Sequence, residues 1–160
     1  MGFEERLNEA IQRGKQRSSA KQAQAEAQAM SEDELKRLHN QYRLQLSEQI
    51  EQCLQKLPQH FPGFTFETIF GERGWGAACR RDDIRISGGK RNNDYSRLEM
   101  TIRPFSSYHV IDLSGKGTIR NKEVFNRSYF EKIEEADIAK FSELIDLWVL
   151  EYAELYSSKS

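Results

Sequence analysis

The chain has 160 residues, a hydrophobic content of 38%, a net charge of −1 and two cysteines. That length allows one domain of ordinary size plus an extension, and the cysteine count excludes a disulfide framework. No apolar run approaches the ~20 residues that cross a bilayer, and Met1-Gly2-Phe3-Glu4-Glu5-Arg6 fits neither a secretory signal nor a myristoylation site.

A soluble, cytoplasmic protein with reduced thiols is therefore the expectation, with no membrane partner. The charge is unevenly spread. Residues 71–130 hold 12 Lys/Arg against 7 Asp/Glu, and residues 131–160 hold 3 against 8. A separation of that kind can steer partners or subunits.

Phe3, Leu7 and Ile11 stand at helical spacing, so residues 3–13 can form a short amphipathic helix. The Ala-, Gln- and Ser-rich stretch from Ser18 to Met30 has good helix propensity but little to bury. Residues 1–30 are read as a polar arm, frayed or disordered, and residues 31–157 as a single domain. Ser31 and Glu34 fit a capping box, which places a helix start at Ser31. From there Leu35, Leu38, Tyr42, Leu46, Ile50, Cys53 and Leu57 form one apolar stripe, and Pro58 ends the helix.

The period then changes to two. Phe64 to Phe70 reads as a strand, and Gly71, Gly74 and Gly76 break it. Residues 83–87 form a second strand and 88–94 a hairpin loop. Residues 97–103 form a third strand, 108–113 a fourth, and 117–120 a short fifth. Leu98, Met100, Ile102, Ile84 and Ile86 are assigned to the core, and Arg85, Arg97, Glu99, Thr101 and Arg103 to the opposite face. Phe125, Tyr129 and Phe130 are read as anchors of the segment before the last helix. Residues 136–156 form that helix, too apolar to leave a whole side in water.

The fold class expected is α+β: an antiparallel sheet of four or five strands, with the capped helix and the C-terminal helix against one face. That helix–sheet–helix order resembles several small dimeric binding domains, the Alu-binding proteins of the signal recognition particle among them. The likeness is one of fold and carries no function.

No motif identifies a reaction. Cys79 to Arg85 has the bare Cys-x5-Arg spacing of a phosphatase loop. It lacks the internal glycines, leads into a strand and places Asp82 and Asp83 where phosphate would sit. Ser114-Gly115-Lys116-Gly117-Thr118 lacks P-loop spacing, and Gly71-Glu72-Arg73-Gly74 is a lone Gly-x-x-Gly. His39, His60 and His109 are scattered, with His39 read as a helix-surface residue. No catalytic residue, cofactor or metal ligand is assigned.

Two surfaces are candidates for binding. Arg80, Arg81, Arg85, Arg97, Arg103 and Arg120 are read as converging on one exposed sheet face or its rim, where guanidinium groups could take phosphate. Leu147, Trp148, Leu150 and Tyr152 are read as an interface on the last helix. The leading expectation is a non-enzymatic interaction module that self-associates or docks a protein through its helices. The alternative is a nucleic-acid binder using the basic face.

Overall fold

The computed structural model of the chain describes residues 2–158, and for 27–30 the backbone alone. Met1 and those four side chains, all within the expected arm, lie outside the described residues. The element order is α1 (Phe3–Gln55), α2 (Leu57–His60), β1 (Thr65–Ile69), β2 (Trp75–Ser87), β3 (Lys90–Ile102), β4 (Val110–Ile119), β5 (Lys122–Lys132), a 3-10 turn and α3 (Ile138–Ser158). This is the expected α+β arrangement, with five strands in one antiparallel meander ordered β1-β2-β3-β4-β5. No helix among the described residues is long and apolar enough to cross a membrane.

The chain divides into two compact units, Met1–Arg37 and Leu38–Ser160. The first is helical, and residues 2–26 within it are all exposed. α1 is continuous through Ser31, which corrects the expected helix start there. Ala, Gln, Lys and Glu favour helix over the whole stretch, and no proline interrupts it, so Ser31 has no free turn to cap.

In the second unit, Leu46, Ile50 and Leu54 of α1 are buried, as are Phe141, Ile145, Trp148, Val149, Tyr152 and Tyr156 of α3. Both helices pack on one face of the sheet, against Ala77 and Cys79 of β2, Leu98, Met100 and Ile102 of β3, and Ile111, Leu113 and Ile119 of β4. The two helices also meet each other: Gln49 Nε2 donates to the Ser142 carbonyl at 2.9 Å and to Asp146 Oδ1 at 3.1 Å. An apolar α3 between sheet and helix follows from its wide hydrophobic stripe.

Two glycines let α3 approach. A Cβ at Gly115 would lie 2.7 Å from Trp148 Cε3, and one at Gly117 would lie 3.0 Å from Tyr152 Cδ2. Large rings on the helix therefore sit directly over the bare backbone of β4. The Tyr152 hydroxyl donates to the Thr118 carbonyl at 2.8 Å, so its one polar atom is satisfied. Arg127 of β5 stacks 4.4 Å from the Phe125 ring and pairs with Glu151 of α3 at 2.8 Å.

Three strand expectations change. β2 begins at Trp75, because Gly76, Ala77 and Ala78 pair regularly with β3 despite their small side chains. The expected hairpin loop 88–94 shrinks to Gly88 and Gly89, whose φ of 60° and 77° make the tight turn, and β3 starts at Lys90. The expected fourth and fifth strands are one strand, β4, and the fifth is Lys122–Lys132, which holds Phe125, Tyr129 and Phe130.

Candidate interaction surfaces

Strand alternation decides what each side of the sheet presents. On the face away from the helices, Arg80 pairs in register with Arg97, and Ala78 with Glu99. Arg103, Asp112 and Lys116 belong to the same face through the register of β3 and β4. These charges are interleaved. Arg97 meets Glu67 at 2.6 Å and Glu99 at 3.8 Å, and Arg73 meets Glu99 at 2.6 Å. Arg103 meets Asp112 at 3.8 Å and Lys116 meets Glu123 at 3.9 Å.

The hydrogen bond from Arg97 holds the Glu67 carboxyl below the usual carboxylate range. Burial pushes Asp112 the other way, against the field of Arg103, and its Oδ1 has no hydrogen-bond partner among the described residues. A cleft of ≈ 370 Å³ on this face brings Arg73, Arg103 and Lys116 together with Glu72 and Glu99. The face is polar and largely charge-balanced.

The six expected arginines do not converge. Arg80, Arg97 and Arg103 share the outer face. Arg81 and Arg85 stand on the opposite side of β2, because odd and even residues of a strand point to opposite faces. Arg81 binds Asp83 and the Pro62 carbonyl, each at 2.8 Å, and Arg85 binds Asp94 at 2.7 Å. Arg120 lies in the β4–β5 turn with φ of 47°. The same alternation corrects Ile84 and Ile86, which are 55% and 80% exposed rather than in the core. The core-facing residues of β2 are odd-numbered, starting from Ala77 and Cys79, and the two isoleucines are even.

The expected α3 interface also divides. Trp148 and Tyr152 are buried inside the unit, while Leu147 and Leu150 are 49% and 64% exposed. Leu150 edges a groove of ≈ 610 Å³ between α3 and the end of α1 with α2, lined also by Leu57, Phe61, Val149 and Ala153. The Cys53 thiol, beside Asp146 at 3.4 Å, lies in its wall.

No protein-family model matches the chain, and no curated protein or solved structure matches it.

Neither thiol is prepared for nucleophilic work. Burial pushes Cys79 up to about 12, and its Sγ donates to the Leu54 carbonyl at 2.9 Å. Burial, with Asp146 adding to it, pushes Cys53 up to about 11. A reactive cysteine needs the reverse shift. The residues from Cys79 to Arg85 form a regular strand rather than a phosphate cradle.

His39 is buried rather than on the helix surface, edge-on to Phe105 at a centroid distance of 5.7 Å. Burial lowers its pKa against a hydrogen bond to the Arg103 backbone, and Nε2 has no hydrogen-bond partner among the described residues. His109, with φ of 55°, lies 5.6 Å from the same Phe105 ring. Among the described residues no group of three or more His, Cys, Asp or Glu side chains could hold a metal ion.

The surface that sequence reading missed is the outer half of the β2–β3 hairpin. Its signal was present: Gly88-Gly89 flanked by long alternating segments is a two-residue hairpin turn.

Proposed function

We propose that the chain is a non-enzymatic interaction module that self-associates, with a second copy docking on its helical layer. The observation that carries this reading is the exposed pair Leu147 and Leu150 on α3, of which Leu150 edges the apolar groove between α3 and α1–α2. Covering what remains exposed of the two leucines is worth about 1–2 kcal/mol each; that offsets only part of an association cost of about 4 kcal/mol or more, and the rest of the interface supplies the remainder.

A second copy is the favoured occupant because the chain carries complementary charge. Residues 71–130 have a surplus of five cations, and residues 131–160 have a surplus of five anions. Opposite surpluses on one chain attract copies of that chain to each other. The nucleic-acid alternative has less support, since the arginines do not gather on one surface: Arg97 and Arg103 pair with carboxylates on the outer sheet face, and Arg81 and Arg85 stand on the other side of β2.

Sedimentation velocity on the full chain tests the reading. The average mass should rise with concentration, and Leu147→Gln/Leu150→Gln should abolish the rise. A wild-type protein that stays monomeric throughout would refute self-association.

A further inference from the structure

We propose that the contact between copies is heterologous: the tip of the β2–β3 hairpin of one copy docks on the exposed stripe of α3 in the next. The proposal rests on the self-association reading above and names the surface that meets the helix.

β1 pairs with β2 only as far as Arg80, and β4 pairs with β3 only from Arg97 onward. Between Arg81 and Ser96 the two strands pair only with each other, so this part is a two-stranded ribbon. Its base is fixed. Asn121 N donates to the Tyr95 carbonyl at 2.8 Å, and Asn121 Nδ2 donates to the Asn93 carbonyl at 3.0 Å. Every residue from 84 to 93 is exposed. An isolated two-stranded ribbon is marginally stable in water, and exposed apolar strand segments invite pairing with another chain.

The tip is basic and apolar together. Residues 84–93 contain Arg85, Lys90 and Arg91 and no acidic residue. Ile84 and Ile86 lie on one side of the ribbon, opposite Asn93 and Arg91 in register. That side carries two exposed isoleucines with Arg91 beside them towards the tip, while Asp82 on the same side lies at the base, where Asn93 Nδ2 donates to it at 3.2 Å.

α3 presents the complement. Glu143, Leu147, Leu150 and Glu154 follow one another at helical spacings of four, three and four, and all four are exposed. They form two leucines between two carboxylates. The helix from Ile138 to Ser158 holds four acidic residues and one lysine. The dimensions agree as well. The stripe spans about 16 Å at the helical rise, and the ribbon from Ile84 to its Gly88 turn spans about 14 Å.

Both surfaces belong to the same unit, and both are uncovered there. The contact is therefore not made within one molecule, and the opposite charges of the ribbon tip and the helix stripe favour a second copy as the partner. A ribbon-to-helix contact leaves one ribbon and one stripe unused at the ends, so it propagates into chains or closes into rings. The contact is smaller than a standard interface of about 20–30 residues a side, which makes each single link weak and salt-sensitive.

The test compares three full-length proteins by sedimentation velocity, from about 10 to about 500 μM, where weak interfaces register. They are wild type, the ribbon variant Ile84→Thr/Ile86→Thr, and the helix variant Leu147→Gln/Leu150→Gln. Glu143→Lys/Glu154→Lys reads the same contact through charge and replaces the helix variant if that one fails to fold. Each variant alone should lose association by at least about tenfold in Kd. An equimolar mixture of ribbon and helix variants should associate with wild-type affinity and stop at dimer mass, because one intact surface remains on each.

A mixture that stays monomeric, or a ribbon variant that associates as wild type does, would overturn the proposal while leaving self-association through helices intact. A monomeric wild type would remove both readings. Binding of a mixed-sequence DNA duplex that is lost in the ribbon variant, without restored association in the mixture, would assign the ribbon to nucleic acid and overturn the proposal.

Discussion

Replacing Gly115 with alanine probes the closest approach in the core. The added Cβ would lie 2.7 Å from Cε3 and 3.0 Å from Cζ3 of Trp148. Carbon atoms settle at roughly 3.5–4.0 Å, so the indole must withdraw by about 1 Å. It has little room, since Trp148 is buried and the same Cβ meets Met100 Cγ at 3.7 Å. Overpacking of this kind costs about 1–3 kcal/mol.

Alanine also restricts the unfolded chain, which returns about 0.4–1 kcal/mol. The expected net loss is about 1–2 kcal/mol, seen as a fall in Tm of roughly 3–8 °C for a domain of this size. Urea unfolding followed by circular dichroism and tryptophan fluorescence measures it. Trp148→Phe removes the clashing ring edge, so in the Gly115→Ala background it should cost less than in wild type, by at least about 0.5 kcal/mol. A Gly115→Ala protein as stable as wild type, or strict additivity of the two substitutions, would show that the helix does not rest on this glycine. Gly76→Ala should be worse, because its Cβ would fall against the Met100 carbonyl oxygen, which is backbone and cannot rotate away.

A truncation beginning at Ser31 should melt within a few degrees of the full chain, since residues 2–26 are all exposed and removing them gives up no buried surface; a large loss in a thermal melt would count against this. His39 should titrate below its ordinary value, chiefly because burial disfavours the imidazolium. Its contribution to stability is complete above about pH 6.5, the unfolded value. It is lost as pH falls from there through the folded pKa, because the unfolded state binds the proton first. A ring-proton NMR titration with its midpoint at or above the ordinary value would contradict the buried neutral ring. The two thiols should resist alkylation at pH 8: with Cys53 raised to about 11, its thiolate should be roughly a hundredfold scarcer than in an exposed cysteine. Labelling at the free-thiol rate in the native protein would refute this.

The sequence by itself determined the fold class and most of the core. Leu46 and Ile50 on α1, Leu98, Met100 and Ile102 on β3, and Phe141, Ile145, Trp148 and Tyr152 on α3 are legible because periods of 3.6 and 2 repeat along one element and need no partner to be read. The tertiary structure decided which phase of an alternation faces inward. Ile84 and Ile86 look like core by composition, yet β2 enters the sheet through Gly76, Ala77, Ala78 and Cys79, whose small side chains give a faint pattern. Parity is set there, and the strand then runs past β1 with its isoleucines on the uncovered side.

The same cause scattered the expected arginine face, since Arg80 and Arg81 are adjacent in sequence and opposite in space. It also divided the α3 interface. All four residues are hydrophobic, but only Trp148 and Tyr152 lie over Gly115 and Gly117, and nothing local to α3 reveals where those glycines sit. The ribbon tip was hidden for a related reason: its length depends on where neighbouring strands stop pairing, which is a property of the sheet and not of the segment.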